Sequence, residues 1–383
     1  MHIAINAWFW NSTLTGSGQY IQRLVEHLVE IAPDLEIELC VPAGQIPDLK
    51  SPTSPVRYQP IANRHRLPAN LYKLWFEQIA FPRACRRLGV ELAHVPYWAP
   101  PLRSFVPTIT TIHDLIPLLL PEYRGGPAVR LYTTLVSRAA RRAALALTDS
   151  RASRRDIIAN LRLPEDRVRA IHLAAGEQFT PTPYPGETAI RAQYGLPERY
   201  VLYLGGFDVR KNVAAVFGAY HQAAASIGAT CPLVVAGKIP EQDTPFTPNP
   251  RRLAREHGLD EKHVHFVGVV DDADAPAVYR GATAFVFPSR YEGFGLPPLE
   301  AMACGTPVVG STAASIPEIV GDGGLLLSPD DIEGMATALV RLATDDSLYV
   351  EMGSRALAQA AKFSWKQTAL ETLAAYRDVV SQV

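Results

Sequence analysis

Ser289-Arg290-Tyr291-Glu292-Gly293-Phe294-Gly295-Leu296-Pro297-Pro298-Leu299-Glu300, running on into Ala301-Met302-Ala303-Cys304-Gly305, is the stretch from which the rest of the chain is best read. Ala284-Phe285-Val286-Phe287-Pro288 before it is a short apolar run ended by proline, the pattern of a buried parallel strand. After Gly295, the run Leu296-Pro297-Pro298-Leu299-Glu300-Ala301 reads as a helix start, with proline suited to the first turn. The order is strand, glycine-bearing loop, helix N-terminus. Such an end leaves backbone N–H groups unpaired and carries positive dipole, so it favours an anion. Gly293 and Gly295 allow a ligand to approach the backbone closely. Glu292 and Glu300 flank this unit. A carboxylate repels phosphate, so their expected partners are hydroxyls, as on a sugar and a ribose.

Working outward, apolar runs recur at 200–206, 232–238, 263–268, 306–311 and 324–327, and helical patterns at 213–227, 336–342, 348–361 and 365–380. Arg210 and Lys211 stand at a strand-to-helix turn, where a guanidinium fork and an ammonium point charge suit a diphosphate. Lys238 follows a further strand and is expected near a nucleotide, and Val269 stands just after another. Asp271-Asp272-Ala273-Asp274 reads as a helix cap. His263 and His265 alternate with apolar residues without a third ligand, so neither group is read as a metal site.

The first half repeats the theme. Ile3-Ala4-Ile5-Asn6 is a strand, 11–20 a polar loop holding Gly16 and Gly18, and 20–31 a helix. The loop either binds an anion or brings a ligand against the backbone, or is a plain turn. It is not a dinucleotide fingerprint, because Ile21 stands where a third glycine is needed. Residues 44–60 read as a proline-rich connection. Residues 67–88 form a basic amphipathic stretch, expected to pack on the core rather than lie on a membrane. A strand ends in His113-Asp114, at the carboxyl edge where open α/β sheets bind ligands. Asp114 either orients His113 or caps the next segment. A helical stretch at 121–142, a strand at 146–150, a helix at 154–161 and a strand at 168–173 complete this half, and the loop-rich 174–198 marks a linker.

At 383 residues the chain predicts two to three domains. Four scattered cysteines argue for a reducing, cytoplasmic compartment. The sequence starts directly as a strand without a leader pattern, and no apolar run is long enough for a membrane span. The net charge of −1 is unevenly placed: 21 Lys/Arg against 15 Asp/Glu up to residue 180, and 16 against 23 beyond it. Residues 57–155 carry 16 basic and 5 acidic side chains, which means either attraction to an anionic membrane surface or a solvated basic face. No nucleic-acid partner is expected.

The Glu292-to-Glu300 stretch, with Glu-Ala-Met-Ala-Cys-Gly-Thr-Pro-Val-Val after it, resembles the E-x7-E signature of retaining two-domain glycosyltransferases of group 1 (GT4-like). The resemblance implies two doubly wound Rossmann-like α/β domains facing across a cleft. It divides the chain into 1–180 on the acceptor side, 181–364 binding donor, and a final helix, 365–383, returning to the first domain. It implies Glu292 near the donor sugar, Gly293, Phe294, Gly295 and Leu296 on sugar and phosphate, and Glu300 on the ribose. It further implies Arg210 and Lys211 on the diphosphate, His113 near the donor sugar, the turn at Val269 near the base, and Gly16 and Gly18 lining the cleft in the acceptor or phosphate region. Some members carry arginine just after the first glycine of the 205–206 turn; Gly206 stands there and leaves one phosphate contact open. The implied reaction is metal-independent hexosyl transfer, with retention, from a nucleotide-diphospho-sugar to a glycan or lipid-linked hydroxyl, with no cofactor. The wording is similar to bacterial mannosyltransferases, so GDP-mannose is the expected donor, with UDP- and ADP-sugars open. An epimerase or hydrolase on the same fold, or a non-catalytic nucleotide-binding subunit, are the alternatives.

Overall fold

A computed structural model describes residues 1–12, 16–44, 55–63 and 66–382. The expected connection at 44–60 and the basic region from 57 fall partly outside these. The chain divides into two units, Met1–Leu173 with Ser364–Val383, and Ala174–Phe363.

The first unit holds strands β1 (His2–Asn6), β2 (Glu36–Pro42), β3 (Val56–Ile61), β4 (Leu92–Val95), β5 (Thr108–Thr111), β6 (Leu145–Thr148) and β7 (Val168–Ala170). They form one parallel sheet in the order β3-β2-β1-β4-β5-β6-β7. The second unit holds β8 (Val201–Leu204), β9 (Leu233–Ala236), β10 (Val264–Gly268), β11 (Ala284–Phe287), β12 (Val308–Ser311) and β13 (Gly324–Leu327), also parallel, in the order β10-β9-β8-β11-β12-β13. In both sheets the chain runs outward, returns to the middle and runs out the other way, as doubly wound folds do. The central strands are apolar because helices cover both faces. Ala284 to Phe287, for example, are all buried. Helix Val213–Ile227 buries Val216, Phe217 and Tyr220 beside Leu339 and Met335 in the second core.

Several expectations need correction. The proline-rich 44–60 contains β3, and the sequence pattern does not announce β4. β3 is an edge strand with its proline at Pro60, so its sequence carries a weak pattern. The first division falls at Leu173/Ala174 rather than 180/181, because Thr180 O accepts from Arg280 Nη1 at 2.7 Å and so belongs with the second unit. Helix Glu187–Gln193 lies inside the presumed linker. Helix Trp365–Val380 packs in the first unit: Thr368 Oγ1 donates to His172 O at 2.7 Å, and Tyr376 OH meets His94 Nδ1 at 2.7 Å. From 69 to 88 the chain is one helical run, with Phe76 and Phe81 buried but Leu71 and Ile79 exposed. Core packing therefore accounts for only part of its apolar face.

Candidate active site

The chain direction reverses in the second sheet between β8 and β11, and the crevice beyond the carboxyl ends of such strands is where open α/β sheets bind ligands. The register Ala284 to Val201 and Phe285 to Leu202 sets the turns after the two strands side by side. One carries Arg210 and Lys211, the other Glu292, residues 81 or more positions apart in sequence. Arg210 Nη1 lies 2.5 Å from Glu292 Oε2, and Lys211 Nζ 2.8 Å from Glu292 Oε1. Arg210 Nη1 also donates to Tyr291 O at 2.9 Å, and its Nε is 3.5 Å from Asp208. All three side chains are only 12–13% exposed. Burial alone would raise the Glu292 carboxyl, but Lys211 and Arg210 together hold it below the usual carboxylate value.

Residues without a motif of their own brace this arrangement. Asn212, in the left-handed conformation at φ 56°, donates from Nδ2 to Pro288 O and Pro329 O. Arg290 N donates to Arg210 O at 2.8 Å, tying the two turns together. Ser311 Oγ donates to Ser289 O, and Ser315 Oγ to the carbonyls of Glu292 and Phe294. The only sequence signal for the two serines is that they stand at and shortly after the end of β12, a pattern too common to single them out.

The glycine-rich turn departs from expectation at Phe294 and at the start of the following helix. Gly295, at φ 122°, is required by the backbone, and a Cβ there would also meet Ile316 at 3.2 Å. The Phe294 ring is buried edge-on to Phe363, 6.1 Å between centroids, so it anchors the loop to the core instead of facing a ligand. Helix Leu296–Ala303 has proline at its second and third positions, which carry no N–H. Its end therefore offers the Gly295 and Leu296 amides rather than a full set of donors. In the second turn Glu300 accepts from Tyr279 OH at 3.2 Å, and burial, with the Asp272 charge adding to it, pushes its carboxyl up to about 7. Lys238 and Val269 are exposed just past β9 and β10. Asp274 stands at the helix start after β10, but its carboxylate takes Tyr194 OH at 2.9 Å rather than capping the helix. Among the described residues no cluster of His, Cys, Asp and Glu has the arrangement of a metal site.

In the first unit His113 lies beyond β5. Its Nδ1 is 2.7 Å from Asp149 Oδ2, at the end of β6, and its Nε2 3.3 Å from Pro96 O. With an acceptor on each nitrogen the ring favours the imidazolium. Burial would lower its pKa, but the Asp149 charge and hydrogen bond raise it above the ordinary histidine value. The orienting carboxylate is thus Asp149, 36 residues away in sequence, and Asp114 Oδ1 instead accepts from Ile116 N at 3.0 Å. Gly16 is the exposed first residue of helix Gly16–Ile31. Gly18 is buried against the loop before it, where a Cβ would collide with Ser12 O. That glycine serves close packing of the chain on itself.

Residues 198–345 match the family described as "Glycosyl transferases group 1", and residues 14–174 the "Glycosyltransferase Family 4" description. The O-antigen chain mannosyltransferase B of Escherichia coli is 33% identical over 376 residues, 95% of this chain and 96% of that one. The chain belongs to the group 1 glycosyltransferases. The serotype-specific mannosyltransferase WbdA of Escherichia coli is 37% identical over 266 residues, 68% of this chain, which span about a third of WbdA (32%). The fold is shared with sucrose-phosphate synthase from Thermosynechococcus elongatus (TM-score 0.77, 24% identity, all of both chains). It is shared too with Anabaena HepE, solved in complex with UDP and glucose (TM-score 0.72, 18% identity, 99% of this chain and all of that one). Its two Rossmann-like units are those of the GT-B architecture. Among the described residues no helix is long and apolar enough to cross a membrane.

Proposed function

We propose that this glycosyltransferase moves a mannosyl group from GDP-mannose to a hydroxyl of a glycan or lipid-linked acceptor, retaining the anomeric configuration and requiring no metal or cofactor. The observation that carries the reading is the clamp of Arg210 and Lys211 on Glu292 at the reversal point of the second sheet. Two buried cations at that crevice suit a leaving diphosphate, and stabilising the charge that grows in the transition state contributes most of the acceleration in such chemistry. When the diphosphate enters, the cations turn to it, and Glu292 is released toward sugar hydroxyls. The amides of Gly293, Gly295 and Leu296 add neutral donors, and Glu300 accepts from the ribose. Lys238 and Val269 border the nucleotide. His113 contributes to the transfer step as a donor from Nε2; its 3.3 Å hydrogen bond to Pro96 O is long and costs little to exchange. Departure and attack occur on the same face of the sugar, assisted by the leaving phosphate.

The mannosyl assignment rests on the two mannosyltransferase relatives, one of which matches almost end to end. The basic side chains of 57–155 make peripheral contact with an anionic inner membrane face, supported by the exposed Leu71, Ile79, Val129 and Leu131 among them. Calorimetry of GDP, UDP and ADP binding to EDTA-treated protein tests the donor assignment. Tight, metal-free binding of GDP alone is the expected result; preference for another nucleotide overturns it.

A further inference from the structure

Among the described residues the two sheets have four edge strands, β3, β7, β10 and β13. An edge presents unpaired backbone groups to anything that can add a strand. Three of the four are guarded. β3 carries Pro60, and Arg57, which pairs with Glu36 at 3.0 Å. β7 carries Arg169, paired with Asp378 at 2.8 Å. β10 shifts register between Phe266 and Gly268, and the Arg251 guanidinium stands 4.5 Å from the centre of the Phe266 ring. β13 has none of these devices. It reads Gly324-Leu325-Leu326-Leu327, without charge, proline or register shift, and all four residues are half-buried.

The pairing of β13 with β12 fixes what this edge offers. Leu327 O accepts from Thr312 N at 2.8 Å, so the N–H and C=O of Leu327 face β12. Those of Leu326 face the other way, where no strand lies among the described residues. Beside the edge runs helix Ile332–Thr344. Strand and helix border a hollow of about 450 Å³, lined by Leu325 to Leu327 on one side and by Gly334, Thr337, Ala338 and Arg341 on the other. Glu333, Thr337 and Arg341 are exposed and form one stripe along the helix, a turn apart. Neither Glu333 nor Arg341 has an ion-pair partner among the described residues.

We propose that β13 is the seam of a two-fold homodimer, in which the β13 strands of two copies pair antiparallel across Leu326 and Glu333 of each copy meets Arg341 of the other. An antiparallel pair centred on Leu326 joins its outward N–H and C=O to the same groups of the second copy, as a hydrogen-bonded pair does. The two-fold axis then stands perpendicular to the sheet. It sets both copies of helix Ile332–Thr344 on one face of the joined sheet, antiparallel to each other. Thr337 is the midpoint between the two charges, so antiparallel helices bring unlike charges together at both ends of the stripe. An isologous contact needs this self-complementarity, because each surface element meets its own copy. A foreign extended segment would pair with the strand and leave both charges unmatched; a second copy matches both.

The test is the mass of the full chain, read by light scattering after size exclusion over a range of concentrations, for wild type, Glu333→Arg and Arg341→Glu. Both side chains are exposed, so the substitutions leave the core untouched. Wild type is expected at twice the chain mass. Each variant alone sets like charges against each other at both ends of the stripe and should raise the dimer Kd about tenfold or more. Mixing the two variants recreates both unlike pairs in a heterodimer, so the mixture should return to the wild-type mass. The Leu326 amide should exchange with solvent more slowly in the dimer than in either variant alone. A wild type that is monomeric at about 0.1 mM overturns the proposal. So does a dimer that neither substitution weakens, a mixture that stays monomeric, or a Leu326 amide whose exchange is the same in dimer and monomer.

Discussion

Removing Lys211 tests the proposed diphosphate site most directly. In the ligand-free protein Lys211 is one of two cations on Glu292, and Arg210 remains at 2.5 Å when it is gone. The fold therefore loses one charge-assisted hydrogen bond, about 1–2 kcal/mol, and avoids the larger penalty of an unpaired buried carboxylate. For a unit of about 190 residues this is roughly 2–8 °C in Tm. The transition state loses more. A unit charge about 4 Å from a growing phosphate charge is worth about 4 kcal/mol at an effective dielectric of 20, and removal of single charge-stabilising donors in other enzymes costs about 10²–10³ in rate. Lys211→Ala should thus lower kcat about 10²–10³-fold at saturating GDP-mannose, measured by radiolabelled mannosyl transfer, with a melting curve shifted only modestly. Lys211→Arg, which keeps the charge in a different geometry, should recover part of the rate. If Lys211→Ala keeps kcat within about threefold while Tm falls as calculated, Lys211 braces Glu292 and does nothing for the leaving group.

Four further outcomes follow from the same structure. His113 has its pKa raised in the fold, so the extra stability its charged form contributes is fully present below about pH 6.5 and fades as pH rises through the folded value. The Tm advantage of wild type over Asp149→Asn should therefore be largest near about pH 6 and shrink by about pH 9; a flat difference would remove the charged pair. Glu300, pushed up to about 7, likewise favours the fold when protonated, and that contribution is lost between about pH 4.5 and 7. Glu300→Gln should melt higher than wild type at about pH 8 but not at about pH 4.5, and should abolish any fall in GDP affinity on acidification from about pH 8 to 6. Gly295→Ala forces a side chain into φ 122°, costing about 1–3 kcal/mol, and should weaken GDP binding together with stability; unchanged calorimetry would mean the turn tolerates the strain by shifting. Co-sedimentation with anionic but not neutral vesicles checks the basic surface, and equal behaviour with both leaves it as solvated charge.

Local signals made much of this protein legible from its residues. Short apolar runs, each followed by a glycine or polar turn and a helical period, mark buried parallel strands, because such strands are apolar on both faces. The stretch from Ser289 to Glu300 announces strand, turn and helix by proline and glycine alone, and Gly295 does occupy a backbone conformation that demands glycine. The pairs that matter chemically were not legible, because they join positions far apart. Asp149 reads as the end of a strand until β5 and β6 lie side by side and set it against His113. The ion pairs of Glu292 are invisible in the residues until the β8–β11 register places Arg210 and Lys211 on it. Phe294, conspicuous in the motif, turns inward because Phe363 offers it an apolar partner. Strand β3 is hard to see in the residues for a related reason: at a sheet edge half its face is exposed, so its sequence need not be apolar. Local propensity determined which segments became strands and helices; strand order and register decided which of their ends meet, and charge placement follows from that meeting.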